Sequence, residues 1–210
     1  MKEQFVQPTV IVLAGMPAHG KTTLAQAFAK ETGIHHLDID DTIRFPIFGP
    51  PVEGSTIAGI NDRIMGASYE LLMHAAAEAL RLGRSVVITA TFIRPQRQEV
   101  LRRFLEEHAA NTKIFFCELR ENHDAEITNR LARRRESDGP QYVGGIDTQD
   151  KYDEVRAVAE PLPDDIPFTA IETSSMHSPE ELVREMIDQL IAEGRMEVGV
   201  ESAEPRLTMK

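Results

Sequence analysis

The chain has 210 residues, 41% of them hydrophobic, and a net charge of −11, enough for one domain with a substantial core. A single cysteine, Cys117, excludes an internal disulfide framework and fits a reducing cytoplasm, and no apolar run is long enough for a signal peptide or a membrane span. Residues 1–135 hold 17 Lys/Arg against 16 Asp/Glu and residues 136–210 hold 6 against 18, which argues against an extended nucleic-acid footprint, because a basic surface carries such binding, while leaving room for a short nucleic-acid end in a local basic cleft.

Apolar, β-branched residues predict a first strand over Val10–Ala14, followed by a glycine-containing loop and a helix over Lys21–Thr32. Ile34–Asp38 reads as a second strand that ends in carboxylates. Residues 44–58, rich in proline and glycine, are expected to be irregular. A long helix follows over Ile60–Leu82, with Ile64, Leu71, Leu72, Ala75, Ala76 and Ala79 on its buried face and Gly83 as its C-cap. Ser85–Ala90 is the third strand and Pro95–Ala110 the helix after it. Lys113–Leu119 is the fourth strand, with Cys117 as a small buried hydrophobe. Asp124–Arg135 is a helix with four arginines, and the Gly/Pro-rich residues 136–165 hold a short helix at Asp150–Ala159. Phe168–Glu172 is the fifth strand. Ser178-Pro179-Glu180-Glu181 opens the last helix with an N-cap, a first-turn proline and acidic residues. From Gly194 the chain is polar and acidic, and a flexible tail is expected over 194–210. Five apolar strands separated by helices imply an α/β fold: a doubly wound, five-stranded parallel sheet with helices on both faces.

Gly15-Met16-Pro17-Ala18-His19-Gly20-Lys21-Thr22 fits the phosphate-binding pattern G-x-x-x-x-G-K-[ST]. A chance match in a chain of this length is on the order of 1%, and the strand–loop–helix context lowers that further. Polyphosphate needs many donors close together. Gly15 and Gly20 let the backbone wrap so that its N–H groups converge, and the following helix adds the positive end of its dipole. The candidate nucleotide contacts are Gly15, Ala18, His19, Gly20, Lys21, Thr22 and Thr23. Lys21 brings a mobile charge to the β- and γ-phosphates, and the Thr22 hydroxyl is placed to ligate Mg²⁺. The His19 side chain reads either as a phosphate contact or as a solvent-facing loop residue.

Three further constellations bear on the reaction. Asp38-Ile39-Asp40-Asp41-Thr42-Ile43-Arg44 follows the second strand, whose C-terminal end faces the same crevice as the glycine loop. A carboxylate there can accept a hydroxyl proton or support Mg²⁺, and Arg44 can hold an anion; the alternative is a solvated acidic turn in which an Asp caps a helix. Arg130 and Arg134 share a helix face and can stack on a base or fork onto phosphate oxygens, or else form a solvated basic face with Glu126 and Glu136. After the third strand, Thr89-Ala90-Thr91 leads to Arg94 and Arg97, which either meet anionic groups or lie on the surface. The remaining histidines lack metal-ligand spacing.

Across residues 9–191 these motifs, in this order, resemble the P-loop kinases of the predicted-kinase or AAA-type ATPase group. That group is related to polynucleotide 5′-hydroxyl kinases, zeta toxins, gluconate and shikimate kinases and chloramphenicol phosphotransferase. The resemblance implies one domain over 1–193, with an acceptor-side insert at 44–70 and a lid region at 130–165. It implies ATP and Mg²⁺ as cofactors and phosphoryl transfer to a hydroxyl of a small molecule or a nucleotide end. Lys21, Asp38, Asp40 and Arg134 would be catalytic, with Thr22 and Asp38 on the metal. Asp40, Asp41, Arg44, Arg94 and Arg97 would face the acceptor. Asp40 is the first choice for the base; Asp41 is its rival, because the family often spaces Asp and Arg three apart. Many members carry Asp-Ala-Thr where this chain has Thr89-Ala90-Thr91, so either the metal's surroundings would lean on Asp38 or metal affinity would be weaker. A regulatory P-loop ATPase and a zeta-toxin-like, partner-controlled kinase are the alternatives. A monomer and a dimer are both open, and no membrane partner is expected.

Overall fold

The structure, a computed structural model, describes residues 3–49, 62–120, 123–137 and 146–199. Parts of the expected insert, of the start of the helix from Ile60, of the lid region and of the acidic tail fall outside these residues.

The apolar runs pair as anticipated. β2 (Val10–Gly15), β3 (His35–Asp38), β4 (Val86–Thr89), β5 (Thr112–Glu118) and β6 (Thr169–Glu172) form a parallel sheet in the order β3-β4-β2-β5-β6. Because β2 lies between β4 and β5, the connection from β2 to β3 passes over β4. The order therefore reverses beside β2, and a crevice opens at the C-terminal strand ends. Alternate residues of β2 face opposite ways. Val10, Val12 and Ala14 join a core with α3 (Asp62–Arg81) and α4 (Pro95–His108) through Tyr69, Leu72, Ala76, Leu101 and Phe104. Ile11 and Leu13 join Leu24 and Phe28 of α1 (Lys21–Thr32) and Met186 and Leu190 of α7 (Pro179–Ala192). Each fully buried Val, Leu, Ile, Phe or Met among these stabilises the fold by about 1.5–3 kcal/mol. Helices thus cover both faces, as doubly wound topology requires.

Local signals explain the helix ends. Gly33 takes a left-handed conformation (φ 76°) after α1, and Ser178 and Glu181 form a complete capping box on α7. On α3 the buried stripe is Tyr69, Leu72, Met73 and Ala76, whereas Leu71, expected inside, is exposed. Phe45–Phe48, expected to be irregular, is a short helix, α2. α5 (His123–Ser137) and α6 (Gln149–Ala157) lie between β5 and β6. A two-stranded antiparallel ribbon joins β1 (Glu3–Phe5) to β7 (Met196–Val198), with Met196 buried against the α1–α7 core. The expected flexibility from Gly194 therefore does not hold for Met196–Val198, which the ladder to β1 orders.

Candidate active site

The glycine loop leaves β2 at Gly15, whose φ of 133° suits glycine alone; a Cβ there would lie 2.3 Å from the Cys117 carbonyl oxygen of β5. Ala18 and Gly20 are also left-handed (φ 60° and 75°), and Gly20 is the N-cap of α1 with no side-chain capping bond. The first N–H groups of α1 consequently point into the crevice, an arrangement suited to an anion. Lys21 is buried, and its Nζ donates to the Met16 carbonyl at 2.6 Å. Burial lowers its pKa to about 8, with Arg134 adding to the fall and the Asp38 and Asp40 carboxylates opposing it.

The loop is gripped from behind. Arg130 donates from Nη1 to the Ala18 carbonyl (3.0 Å), from Nη2 to the Thr173 carbonyl and from Nε to Glu126 (2.8 Å). Thr173 Oγ1 donates to the His19 carbonyl at 2.8 Å. Arg130, expected beside the nucleotide, thus braces the loop backbone; of the pair, only Arg134 lines the crevice. His19 is not solvent-facing, since it is 5% exposed and burial drives its pKa to about 3. Its partners fix the tautomer. The Cys117 carbonyl only accepts, so Nδ1 carries the proton of the 3.1 Å bond. Neutral Nε2 then accepts from the Tyr152 hydroxyl (3.2 Å), whose oxygen also lies 3.0 Å from His123 Nε2. The imidazole is used up beneath the loop, tying it to α5 and α6.

On the other side of Lys21, Asp38 ends β3 and caps a π-helical turn, Ile39–Arg44, in which the Phe45 N–H donates to the Asp40 carbonyl. Residues four apart meet across such a turn. Asp40, not Asp41, pairs with Arg44, at 2.9 Å. Arg44 is 6% exposed, bonded to Met65 Sδ at 3.2 Å and stacked over the Phe45 ring at 4.7 Å. Burial raises the Asp40 pKa to about 6, against the pull of Arg44, with Asp38 and Asp41 adding to the rise. Asp41 is exposed at the crevice mouth. The Asp38 carboxylate accepts from Thr22 Oγ1 (3.2 Å) and Thr89 Oγ1 (2.6 Å), so the hydroxyl and carboxylate expected at a cation are neighbours.

From the phosphate loop the crevice runs past Asp40 to α3 and the start of α4, a single cleft of about 510 Å³. Arg97 is buried there, held by Asp62 at 3.2 Å and lying over the Tyr69 ring at 5.5 Å. The Tyr69 hydroxyl is bonded to Thr91 Oγ1 at 2.7 Å. Arg94 lines the cleft from the N-cap of α4. One wall therefore carries the phosphate loop and the other a carboxylate and three arginines.

Residues 10–159 match the family described as AAA domain. The chain belongs to this AAA-domain family. No curated protein matches it. Among solved structures it is similar to a sugar kinase from Janibacter sp., with 20% identity over 88% of this chain and 95% of that one and a TM-score of 0.59. An APS kinase from Mycobacterium tuberculosis in complex with AMPPNP and APS shares 17% identity over 88% and 98% of the two chains, with a TM-score of 0.58. A gluconokinase from Sinorhizobium meliloti shares 17% over 90% and 94%, with a TM-score of 0.57. At these identities the likeness is one of fold.

Of the expected site residues, this AAA domain brings Gly20, Lys21, Thr22, Thr23, Asp38, Asp40, Asp41, Arg44, Arg94, Arg97 and Arg134 to one cleft, with Ala18 at its edge. Gly15 shapes the loop entry. Sequence reasoning missed Tyr69, Asp62, His36 and Tyr152. Tyr69 carried a signal, since a tyrosine on a buried helix stripe needs a hydroxyl partner. The others depend on contacts between distant segments. No helix among the described residues is long and apolar enough to cross a membrane.

Proposed function

We propose that this AAA-domain protein is an ATP-dependent phosphotransferase that moves the γ-phosphoryl group to a hydroxyl of a small anionic acceptor in the cytoplasm. Asp40 carries the reading: a carboxyl of pKa about 6, paired with a buried arginine, in the cleft that also holds Lys21 of the phosphate loop. A base poised near working pH suits proton removal from an alcohol, and nucleotide binding alone has no use for it. Arg44, Arg94 and Arg97 favour an anionic acceptor, because guanidinium forks match carboxylate and phosphate. The kinases that share the fold support the same reaction class.

In the proposed step the acceptor proton passes to the Asp40 carboxylate. The acceptor oxygen bonds the γ-phosphorus as the bond from that phosphorus to the bridging oxygen breaks, and ADP leaves. Lys21 and Arg134 offset the charge that develops. Magnesium, when bound, would neutralise phosphate charge; the Thr22 hydroxyl offers a hard oxygen donor of the kind it prefers, with the Asp38 carboxylate bonded behind it.

The test is transfer from γ-labelled ATP with magnesium across a panel of sugars, sugar acids, nucleosides, aminoglycosides, chloramphenicol and 5′-hydroxyl oligonucleotides. Label on one acceptor class, lost in Lys21→Ala, is the expected result. Asp40→Asn should cost at least about 10²-fold in turnover with ATP affinity nearly intact. The same loss in Asp41→Asn alone would move the base by one residue. Free phosphate across the whole panel would favour a regulatory ATPase, and preference for neutral alcohols would overturn the anionic acceptor.

A further inference from the structure

Asp38 is more tightly held than a metal-binding carboxylate needs to be. Oδ1 accepts from the backbone N–H groups of Asp40 (2.8 Å) and Asp41 (3.2 Å). Oδ2 accepts from the hydroxyls of Thr22 (3.2 Å) and Thr89 (2.6 Å). A carboxylate has about four lone-pair sites, so its capacity is filled from within the protein. The Thr22 proton is thereby committed to Asp38, and the Thr22 lone pairs are left for whatever enters beside the phosphate loop.

The fourth of these bonds depends on a histidine. His36 precedes Asp38 by two residues on the same face of β3, and Asp38 stands opposite Thr89 of β4, so His36 is Thr89's diagonal neighbour. His36 Nε2 lies 2.9 Å from Thr89 Oγ1. Thr89 is 1% exposed and has one proton for two neighbours. A charged acceptor at 2.6 Å takes it, since bonds to ionised groups are about twice as strong as neutral ones. Nε2 must then be the donor to Thr89. In the other tautomer Nε2 would compete for the hydroxyl proton, turning a Thr89 lone pair towards the carboxylate.

We propose that His36 is a positioning residue: its Nε2–H directs the Thr89 hydroxyl onto Asp38, which holds Thr22 with its lone pairs free for the cation that accompanies a nucleoside triphosphate. This rests on the preceding reading of Thr22 and Asp38 as the cation end of the site.

The full chain tests this in two ways. In ¹⁵N-histidine spectra of the wild-type protein, with His36→Gln used for assignment, His36 should carry its proton on Nε2; a proton on Nδ1 overturns the proposal. Calorimetric titration of AMPPNP at graded magnesium supplies the second readout. Thr89→Val and His36→Phe should each raise the magnesium needed for half-maximal tight binding about tenfold, as is usual for groups behind a metal ligand. AMPPNP affinity in EDTA should be unchanged, and His36→Gln, which keeps an N–H donor, should restore most of the loss. Wild-type magnesium dependence in every variant, or an equal loss with and without magnesium, overturns the role of His36 alone. A wild-type protein whose AMPPNP binding ignores magnesium overturns the cation reading and this inference with it.

Discussion

An aspartate with a pKa near 6 should leave a signature in pH that an ordinary one cannot. The perturbation is a change of pH from 7 to 5 in the wild-type protein. With Asp40 at about 6, roughly nine-tenths of the carboxyl is ionised at pH 7 and about a tenth at pH 5, whereas an ordinary aspartate near 3.9 stays mostly ionised over the whole interval. A base works only when ionised. Turnover should therefore fall about tenfold as pH drops through this window, with its midpoint near pH 6. The assay has two arms. One follows the Asp40 carboxyl carbon by ¹³C NMR across pH 3–8, which needs no acceptor. The other follows phosphoryl transfer once an acceptor is known. Arg44→Met should move the NMR midpoint further up, because Arg44 is the largest influence holding Asp40 down. A carbon midpoint near 4, or turnover flat between pH 5 and 7, would refute the reasoning.

Three other outcomes follow from the loop and its supports. Gly15→Ala places a Cβ against the Cys117 carbonyl at a left-handed backbone position, and urea unfolding should register a loss of at least about 3 kcal/mol; wild-type stability would show that the strand shifts without strain. Arg130→Met removes the donors to Ala18 and Thr173. It should weaken ATP and GTP binding to the same degree, because it disturbs the backbone cradle and not the base, and a loss confined to ATP would restore the stacking role. Tyr152→Phe leaves His19 Nε2 buried without a donor and should cost about 1–3 kcal/mol in chemical denaturation, a result that unchanged stability would contradict.

The sheet was legible because its strands are short apolar runs bounded by turn residues, and the phosphate loop because its pattern is local. Strand order was not, since β-branched composition says nothing about which strand neighbours which. The register of the acidic turn was hidden for a specific reason. Residues three and four apart both meet across a helical turn, so spacing alone left Asp40 and Asp41 open as partners of Arg44, and the contact falls to Asp40. Arg130 and Arg134 looked equivalent by helix periodicity, yet Arg130 turns to backbone carbonyls supplied by the β2–α1 and β6–α7 connections. The β1–β7 ribbon escaped notice because each strand is three residues long and mostly polar, with Phe5 and Met196 as its only inward anchors.

The phosphate-binding pattern treats position 19 as a wild card, but this protein does not. The histidine there answers to a tyrosine 133 residues later in the chain, so drift at one position is constrained by the other. The pair should behave as a unit in evolution and in the laboratory. Replacing His19 alone leaves the Tyr152 hydroxyl to His123, and replacing both with partners that need no bond should cost less than the two single changes together. The eight-residue loop is accordingly not a portable module. Transplanted into another scaffold without the tyrosine helix behind it, it would keep its spelling and lose its shape.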